Sequence, residues 1–457
     1  MMGKTFLVIL TAKPLIFYFL HWNIEMAALR ELKSFCTLPL VLPNEVVTVP
    51  GYHAETQTYA SFDPEVMESF SLNPSRAELI AALKQIWRPF EGYKFSSPAD
   101  RGALLAAIMG IFSRAGMELA PGVLIDAPCP GSGKTILGQA IGALILGRRA
   151  PVTPFASVDD VELKKILVAN AIQGYEFLLL DNVVGVYDSA VMASILTTGA
   201  LRDRVLCSST MFDGFVRLNV FLTSNNASLS RDLTSRFIRV RIDSGVEQPQ
   251  GLSFKFCPIE RALTERMAIV RAVCTVFQGF FAAGSPHLGK GDARFPEWSR
   301  LVRQCVLWCD RSTLTEEGRQ RLNEGEEPLL PEHGLPSLAE EAGLDCLGDP
   351  AWHILECAGK TDSESEGLAL LLDGLRSIFG GECFYAREVM KIVESAGTFG
   401  SNDIKEALEI LLPARGHLNA HTVGSVLRYR VDRIADGLVL RKRTGEKKTT
   451  LYSVQRA

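Results

Sequence analysis

The sequence predicts an α/β protein: a core of parallel strands, then a helical segment, then a small C-terminal domain of helices and a β-wing. Three observations predict it. Between residues 99 and 245, short apolar runs alternate with amphipathic helical stretches, the pattern that lays helices over a parallel sheet. One of these runs, GVLIDA, passes through a loop rich in Gly and Pro into a helix that opens at Lys134. The last segment, 368–457, reads as short helices followed by two strand-like pieces, LVLRKR and TTLYSV, around a basic turn.

Size and composition bound the rest. A chain of 457 residues has room for about three folding units. With 47% apolar and 22% charged residues it sits in the globular range, which excludes wholesale disorder, collagen-like repeats and a polytopic membrane protein. Lys and Arg number 48 against 52 Asp and Glu, so 48 − 52 = −4, and a nucleic-acid surface has to come from local basic patches. The ten cysteines contain no CxxC pair of the zinc-ribbon kind and suit a reducing cytoplasm. Cys305 and Cys309 share a helix face and read as core thiols.

Taken in order, residues 1–98 form an N-terminal segment. Its apolar run Phe6–Leu20 is broken by Lys13 and Pro14 and is shorter than the roughly 20 residues of a membrane span. No small-residue cleavage site follows, so neither a membrane anchor nor export is expected, and Met26 is an alternative start. A strand-like stretch, LPNEVVTVPGYHAETQTYASF, precedes the helical SRAELIAALKQIW, where Ser75 and Glu78 have capping-box spacing. The core spans 99–245. Residues 246–315 read as a helical lid or satellite carrying Trp298 and Trp308, and 316–367 as an acidic linker rich in Pro, Gly and Ser. The basic C-terminal domain spans 368–457, and no internal repeat is present.

Strand, loop and helix around CPGSGKT have the context that a P-loop requires. Pro130, Gly131, Ser132, Gly133, Lys134, Thr135 and Ile136 form the candidate nucleotide-binding set. Backbone amides of Gly131 to Lys134 can curl around a phosphate where side chains do not obstruct, with the positive end of the helix aimed at the same anion. Lys134 would neutralise the β- and γ-phosphates of ATP, and Thr135 would offer its hydroxyl to Mg²⁺. The full pattern has Gly where this chain has Pro128.

A phosphate loop needs an acid across the site for Mg²⁺, at the end of a neighbouring buried strand. YEFLLLDNV supplies Asp181 after a strand running from Glu176 to Leu180. The next residue, Asn182, can orient water but cannot take its proton, which leaves Asp188 or Glu176 to polarise it, or hydrolysis slow. A third strand, VRLNVFLTSNN, ends at Asn225, a candidate to position the attacking water beside the γ-phosphate. Arg236 is the candidate arginine finger, with Arg231 the second choice.

Lys134, Asp181, Asn225 and Arg236 fall in an order and spacing that resembles AAA+ ATPases and the superfamily 3 helicases related to them. More narrowly, ELKKILVANAIQGYEFLLLDNV, LRDRVLCSS and FLTSNNASLSRDLTSRFIRVRID resemble the ATPase module of primase-helicase replication proteins from phages and integrative elements. The likeness covers roughly 42–310, with PGYHAETQTYASF and FPEWSRLVRQCVLWC included. It implies a P-loop NTPase fold, ATP and Mg²⁺ as cofactors, a homo-oligomeric ring that is usually a hexamer, and single-stranded or forked DNA as partner. Such proteins often carry a primase upstream; this chain has no room for one, which points to a shortened version served by a separate primase. In helicases of this type the segment ALRDRVLCSSTMFDGF would be the channel loop, with Arg202 and Arg204 on DNA phosphate; an ion pair at the surface or between subunits is the equal alternative.

The C-terminal helices and wing have the order of a winged helix. Its cations, among them Arg428, Arg430, Lys447 and Lys448, outnumber its acids, which favours DNA over a protein docking role. A nucleotide-dependent binding switch with little turnover, or an inactive prophage remnant, are the alternatives to a DNA-translocating ATPase. The switch needs only the loop and the Mg²⁺ site; the motor also needs sensor, finger and channel cations.

Overall fold

The computed structural model describes residues 32, 34–155, 159–206, 209–243, 245, 255–289, 294–311, 336–359, 363–394, 401–412, 418–444 and 450–456. The chain divides into two compact units, Met1–Leu355 and Glu356–Ala457.

The first unit opens with short strands: β1 (Ser34–Cys36), β2 (Leu40–Val41), β3 (Val46–Val47), β4 (Gly51–His53) and β5 (Thr58–Ala60). Strand β5 pairs with β1 in parallel and with β4 antiparallel. Helix α1 (Arg76–Trp87) starts where the sequence predicts, because Ser75 and Glu78 satisfy each other's backbone amides at 2.7 and 3.3 Å. Helix α2 (Pro98–Ser113) is capped by Ser97 and buries nearly its whole surface.

The core then alternates strand and helix. Its elements are β6 (Gly122–Ala127), α3 (Lys134–Leu146), β7 (Thr153–Pro154), α4 (Asp160–Gln173), β8 (Phe177–Val183), β9 (Val186–Tyr187), α5 (Ala190–Thr198), β10 (Ala200–Arg204), β11 (Met211–Phe215), β12 (Asn219–Asn225), β13 (Ser228–Leu229), α6 (Arg231–Thr234) and β14 (Phe237–Arg241). Five of these strands make one sheet in the order β14-β6-β12-β8-β7, parallel throughout. Crossover helices cover both faces, so the strands read as continuous apolar runs. Val123, Ile125, Phe221 and Val240 face one core layer; Leu124, Leu178, Leu180 and Leu222 face the other.

The register between β8 and β12 slips once. Leu180 pairs with Leu222 and Val183 with Ser224, so Asp181 and Asn182 together oppose Thr223. The extra residue makes a β-bulge, and Asn182 absorbs it with a left-handed backbone at φ 64°.

Helices α7 (Pro258–Thr264), α8 (Arg266–Ala282) and α9 (Gln304–Arg311) follow, with Trp298, Cys305 and Cys309 deep in the core. The predicted linker needs correction. Residues 336–355 carry α10 (Leu338–Glu341) and the start of α11 (Trp352–Gly359), and bury Leu338, Leu344, Leu347, Ala351 and Ile354 in the first unit's core. Arg76 grips Glu341 at 2.6 Å and Arg303 grips Asp349 at 2.6 Å, which pins the segment down. Acidic composition concealed apolar positions that recur at packing intervals. Residues 1–31, with Met26 and the apolar run, and 312–335 lie outside the described residues.

The second unit builds α12 (Ser363–Phe379), α13 (Ala386–Glu394), α14 (Ser401–Leu411), α15 (Ala420–Arg428), β15 (Ile434–Ala435), β16 (Leu438–Thr444) and β17 (Thr450–Arg456). Helix α12 begins inside the stretch read as linker. Strands β15, β16 and β17 form an antiparallel sheet. Leu371, Phe384, Leu408, Val423, Leu427 and Val454 form its core. Among the described residues no helix is long and apolar enough to cross a membrane.

Candidate phosphate-binding site

Parallel order puts the carboxyl ends of β6, β12 and β8 side by side, and each strand turns polar there. Strand β6 leads into the loop 128–133, and α3 starts at Lys134 directly behind Gly133. Gly131 and Gly133 take φ of 78° and 85°, a backbone that a side chain would strain. Ser132 donates to the Cys129 carbonyl at 2.5 Å, closing the loop on itself. The loop tip, Pro130 and Gly131, is exposed, as is Ile136 at 37%.

The ammonium of Lys134 donates to Asn225 Oδ1 at 2.7 Å and to the Cys129 carbonyl at 3.2 Å. Burial pulls its pKa below the ordinary value, while Asp126, Asp181 and Cys129 pull the other way. Thr135 donates its hydroxyl to Asp181 Oδ1 at 2.7 Å, and Thr223 donates to the same oxygen at 2.6 Å. The bulge is what aims Asp181: Asn182 donates its backbone amide to Thr223 Oγ1 at 2.9 Å. Asn225 in turn donates to Asn182 Oδ1 at 3.2 Å. Lys134, Thr135, Asp181, Asn182 and Asn225 therefore form one connected cluster.

A hydroxyl and a carboxylate 2.7 Å apart are hard oxygen donors of the kind Mg²⁺ takes, with phosphate oxygens and water completing its shell. Among the described residues no three His, Cys, Asp or Glu side chains group to hold a metal by themselves.

Sequence reasoning missed the layer underneath. Asp126, buried in β6, accepts from Ser224 Oγ at 2.7 Å, from the Asn226 amide at 2.9 Å and from the Arg241 guanidinium. Arg241 also donates to Asn226 at 2.7 Å, and Asn226 donates to the Pro128 carbonyl at 3.3 Å. Pro128, the departure from the loop pattern, is thus tied to β12 through its oxygen. Tyr93 donates to the Gly133 carbonyl at 3.1 Å. A charged residue inside the apolar run GVLIDA was the one visible signal; Tyr93 and Arg241 had none.

Arg236 stands elsewhere. Its carbonyl bonds Gly122, so it lies at the amino end of β6, opposite the loop. It is 9% exposed, donates to Thr197 Oγ1 at 2.8 Å and pairs with Asp232. Arg231 opens α6, and its side chain lies outside the described residues. Glu176 precedes β8 and so sits about 16 Å along the strand from Asp181, on a rise of roughly 3.3 Å per residue. It cannot polarise water there, contrary to expectation. Burial pushes its carboxyl up to about 7. Asp188 is exposed just ahead of α5.

Arg202 and Arg204 lie on the antiparallel hairpin β10–β11, both exposed; Arg202 faces Asp213 at 3.6 Å with 73% of its side chain in solvent. A groove of about 690 Å³ runs between this hairpin and α4, lined by Val161, Lys164, Lys165, Asp203, Arg204 and Leu206. The sequence reading had not joined the two lysines to the hairpin. In the second unit Arg428 is exposed, but Arg430 donates to the carbonyls of Val426 and Leu411 at 3.2 and 3.3 Å and ties α15 to α14. It is a brace within the unit and not a free cation. Lys447 and Lys448 lie outside the described residues.

The mixed α/β core and five-strand parallel sheet fit a P-loop-like core. No family model matches the chain, and no curated protein matches it. Among solved structures it is similar to the apo A form of the NrS-1 C-terminal region over 98% of this chain and 90% of that one, at 10% identity and a TM-score of 0.39. It is also similar to JCV helicase over 61% of this chain and 79% of that one, at 15% identity and a TM-score of 0.24.

Proposed function

We propose that the first unit binds ATP with Mg²⁺ and hydrolyses it, and that the chain works on DNA as a helicase-like motor. One observation carries this reading: Lys134, Thr135, Asp181 and Asn225 meet at the carboxyl ends of three adjacent parallel strands, joined at 2.7 Å. Lys134 holds the β- and γ-phosphates, and the loop amides and α3 bind them from below. Thr135 and Asp181 hold Mg²⁺, which when bound draws off charge from the phosphate oxygens. Asn225 and Asn182 orient the attacking water.

Arg236, at the far end of the sheet, serves a nucleotide held by a neighbouring copy, which makes the active form a ring, with six members as the expected number. Arg202 and Arg204, with Lys164 and Lys165, hold the phosphates of a DNA strand by charge, without base selection. The second unit acts as a winged helix that adds DNA affinity through Arg428 and the wing.

A second reading, a nucleotide switch with slow turnover, is favoured by Asn182, which leaves the cluster no second carboxylate to take the water's proton. Steady-state ATP hydrolysis with and without single-stranded DNA separates the two. The motor shows DNA-stimulated turnover that Lys134→Ala abolishes. ATP binding with turnover no faster than Lys134→Ala, with or without DNA, supports the switch.

A further inference from the structure

A second cavity, of about 550 Å³, opens on the outer edge of β14 and shares no residue with the phosphate loop. Its walls are Ser96–Asp100 at the start of α2, Arg239 on β14, Arg311 at the end of α9, and the stretch 348–355. Its acids are already committed. Asp100 accepts from Ser97 Oγ at 2.6 Å and from the Arg241 amide at 2.8 Å, with His353 at 3.5 Å. Asp349 accepts from Arg303 at 2.8 and 2.6 Å and from the Ala351 amide at 2.9 Å.

The two arginines are less fully used. Arg239 has no counter-ion among the described residues, and its buried Nε has no hydrogen-bond partner. Arg311 spends one nitrogen on the Leu288 carbonyl at 3.2 Å and shares its charge with the neighbouring Asp310 carboxylate. Two guanidiniums line one cavity, and the Nε of Arg239 is a charged donor left there without an acceptor. At the rim Trp352 leaves 53% of its surface in solvent, a large aromatic face beside a cationic floor.

We propose that this cavity binds a nucleoside phosphate, with the phosphate on Arg239 and Arg311 and the base stacked on Trp352. Planar guanidiniums match phosphate oxygens in pairs, and an indole face accepts any base. The unit comes either as a free nucleotide or as one residue of a nucleic-acid strand. The site stands apart from ATP hydrolysis and persists in a chain whose phosphate loop is disabled.

The test uses the full chain carrying Lys134→Ala, which removes phosphate-loop binding, and two probes: AMP and a short single-stranded oligodeoxynucleotide. Arg239→Gln with Arg311→Gln is expected to weaken binding at least about tenfold. Trp352→Ala, at a position 53% exposed, is expected to weaken it about fivefold or more. An effect on AMP identifies a free nucleotide; an effect on the oligonucleotide alone identifies a strand. If neither variant changes the affinity for either probe, the proposal is overturned, and Trp352→Ala decides the matter should the double variant fail to fold.

Discussion

The cluster at the strand ends and the β10–β11 hairpin both carry cations that face the proposed function, yet they are held in opposite ways. Lys134 is only 7% exposed and bonded to two partners, whereas Arg202 keeps 73% of its side chain in water and faces Asp213 loosely at 3.6 Å. A site that stabilises charge at one point needs groups held in advance, because reorganising them costs part of the effect. A surface that tracks a polyanion needs only sign and reach. Substitutions in the cluster should therefore cost turnover steeply, and substitutions on the hairpin should cost DNA affinity gently.

The largest expected effect breaks this contrast at Arg236. Its removal should lower ATP turnover on the order of a thousandfold while ATP affinity holds, as expected of a finger acting on a neighbour's nucleotide. Mixing Arg236→Ala with Lys134→Ala protein should restore part of the turnover, since each then supplies what the other lacks. If affinity, melting temperature and turnover fall together without rescue, Arg236 serves only its bonds to Thr197 and Asp232.

Next comes the layer beneath the cluster. Asp126→Ala leaves Arg241 without its carboxylate and Ser224 and the Asn226 amide without an acceptor. Denaturant unfolding should show a loss of about 3–5 kcal/mol. A loss under about 1 kcal/mol would show that the network adds little beyond surface pairing.

On the hairpin, Arg202→Ala with Arg204→Ala should weaken single-stranded DNA binding about tenfold and lower the salt slope by about 1.4, the value for two lost phosphate contacts. Stability should stay within about 0.5 kcal/mol. An unchanged slope would assign these arginines to the surface.

The smallest effect is a pH dependence. Burial raises the folded pKa of Glu176 from 4.5 to about 7, so the folded chain holds a proton there that the unfolded chain has released. Its contribution is complete below about 4.5 and is lost as pH rises to about 7. Glu176→Gln should flatten that part of the stability profile; parallel profiles would show that the carboxyl ionises as it does in the open chain.

These contrasts also explain what the sequence made legible. The loop around Lys134 and the strand ends at Asp181 and Asn225 were readable because each follows from a local change, an apolar run turning polar. Strand order was not local. Only the arrangement β14-β6-β12 brings Arg241 to Asp126, and only it sends Arg236 to the end of the sheet away from Lys134. The bulge that aims Asp181 depends on two strands and left no mark beyond an asparagine able to adopt positive φ. Composition misled at 336–355, where acids stand between the buried Leu338, Leu344 and Leu347, the last two in irregular chain with no helical or strand period to reveal them.

The most direct test of the central claim is paired measurement of ATP binding and steady-state hydrolysis, with Mg²⁺ present and absent, for the native chain and Asp181→Asn. Lys134 and the loop should still hold nucleotide in the variant, while Mg²⁺-dependent turnover falls by about a hundredfold or more. Turnover that Asp181→Asn leaves unchanged, or that needs no Mg²⁺ in the native chain, would contradict the assignment of this cluster as the hydrolytic site.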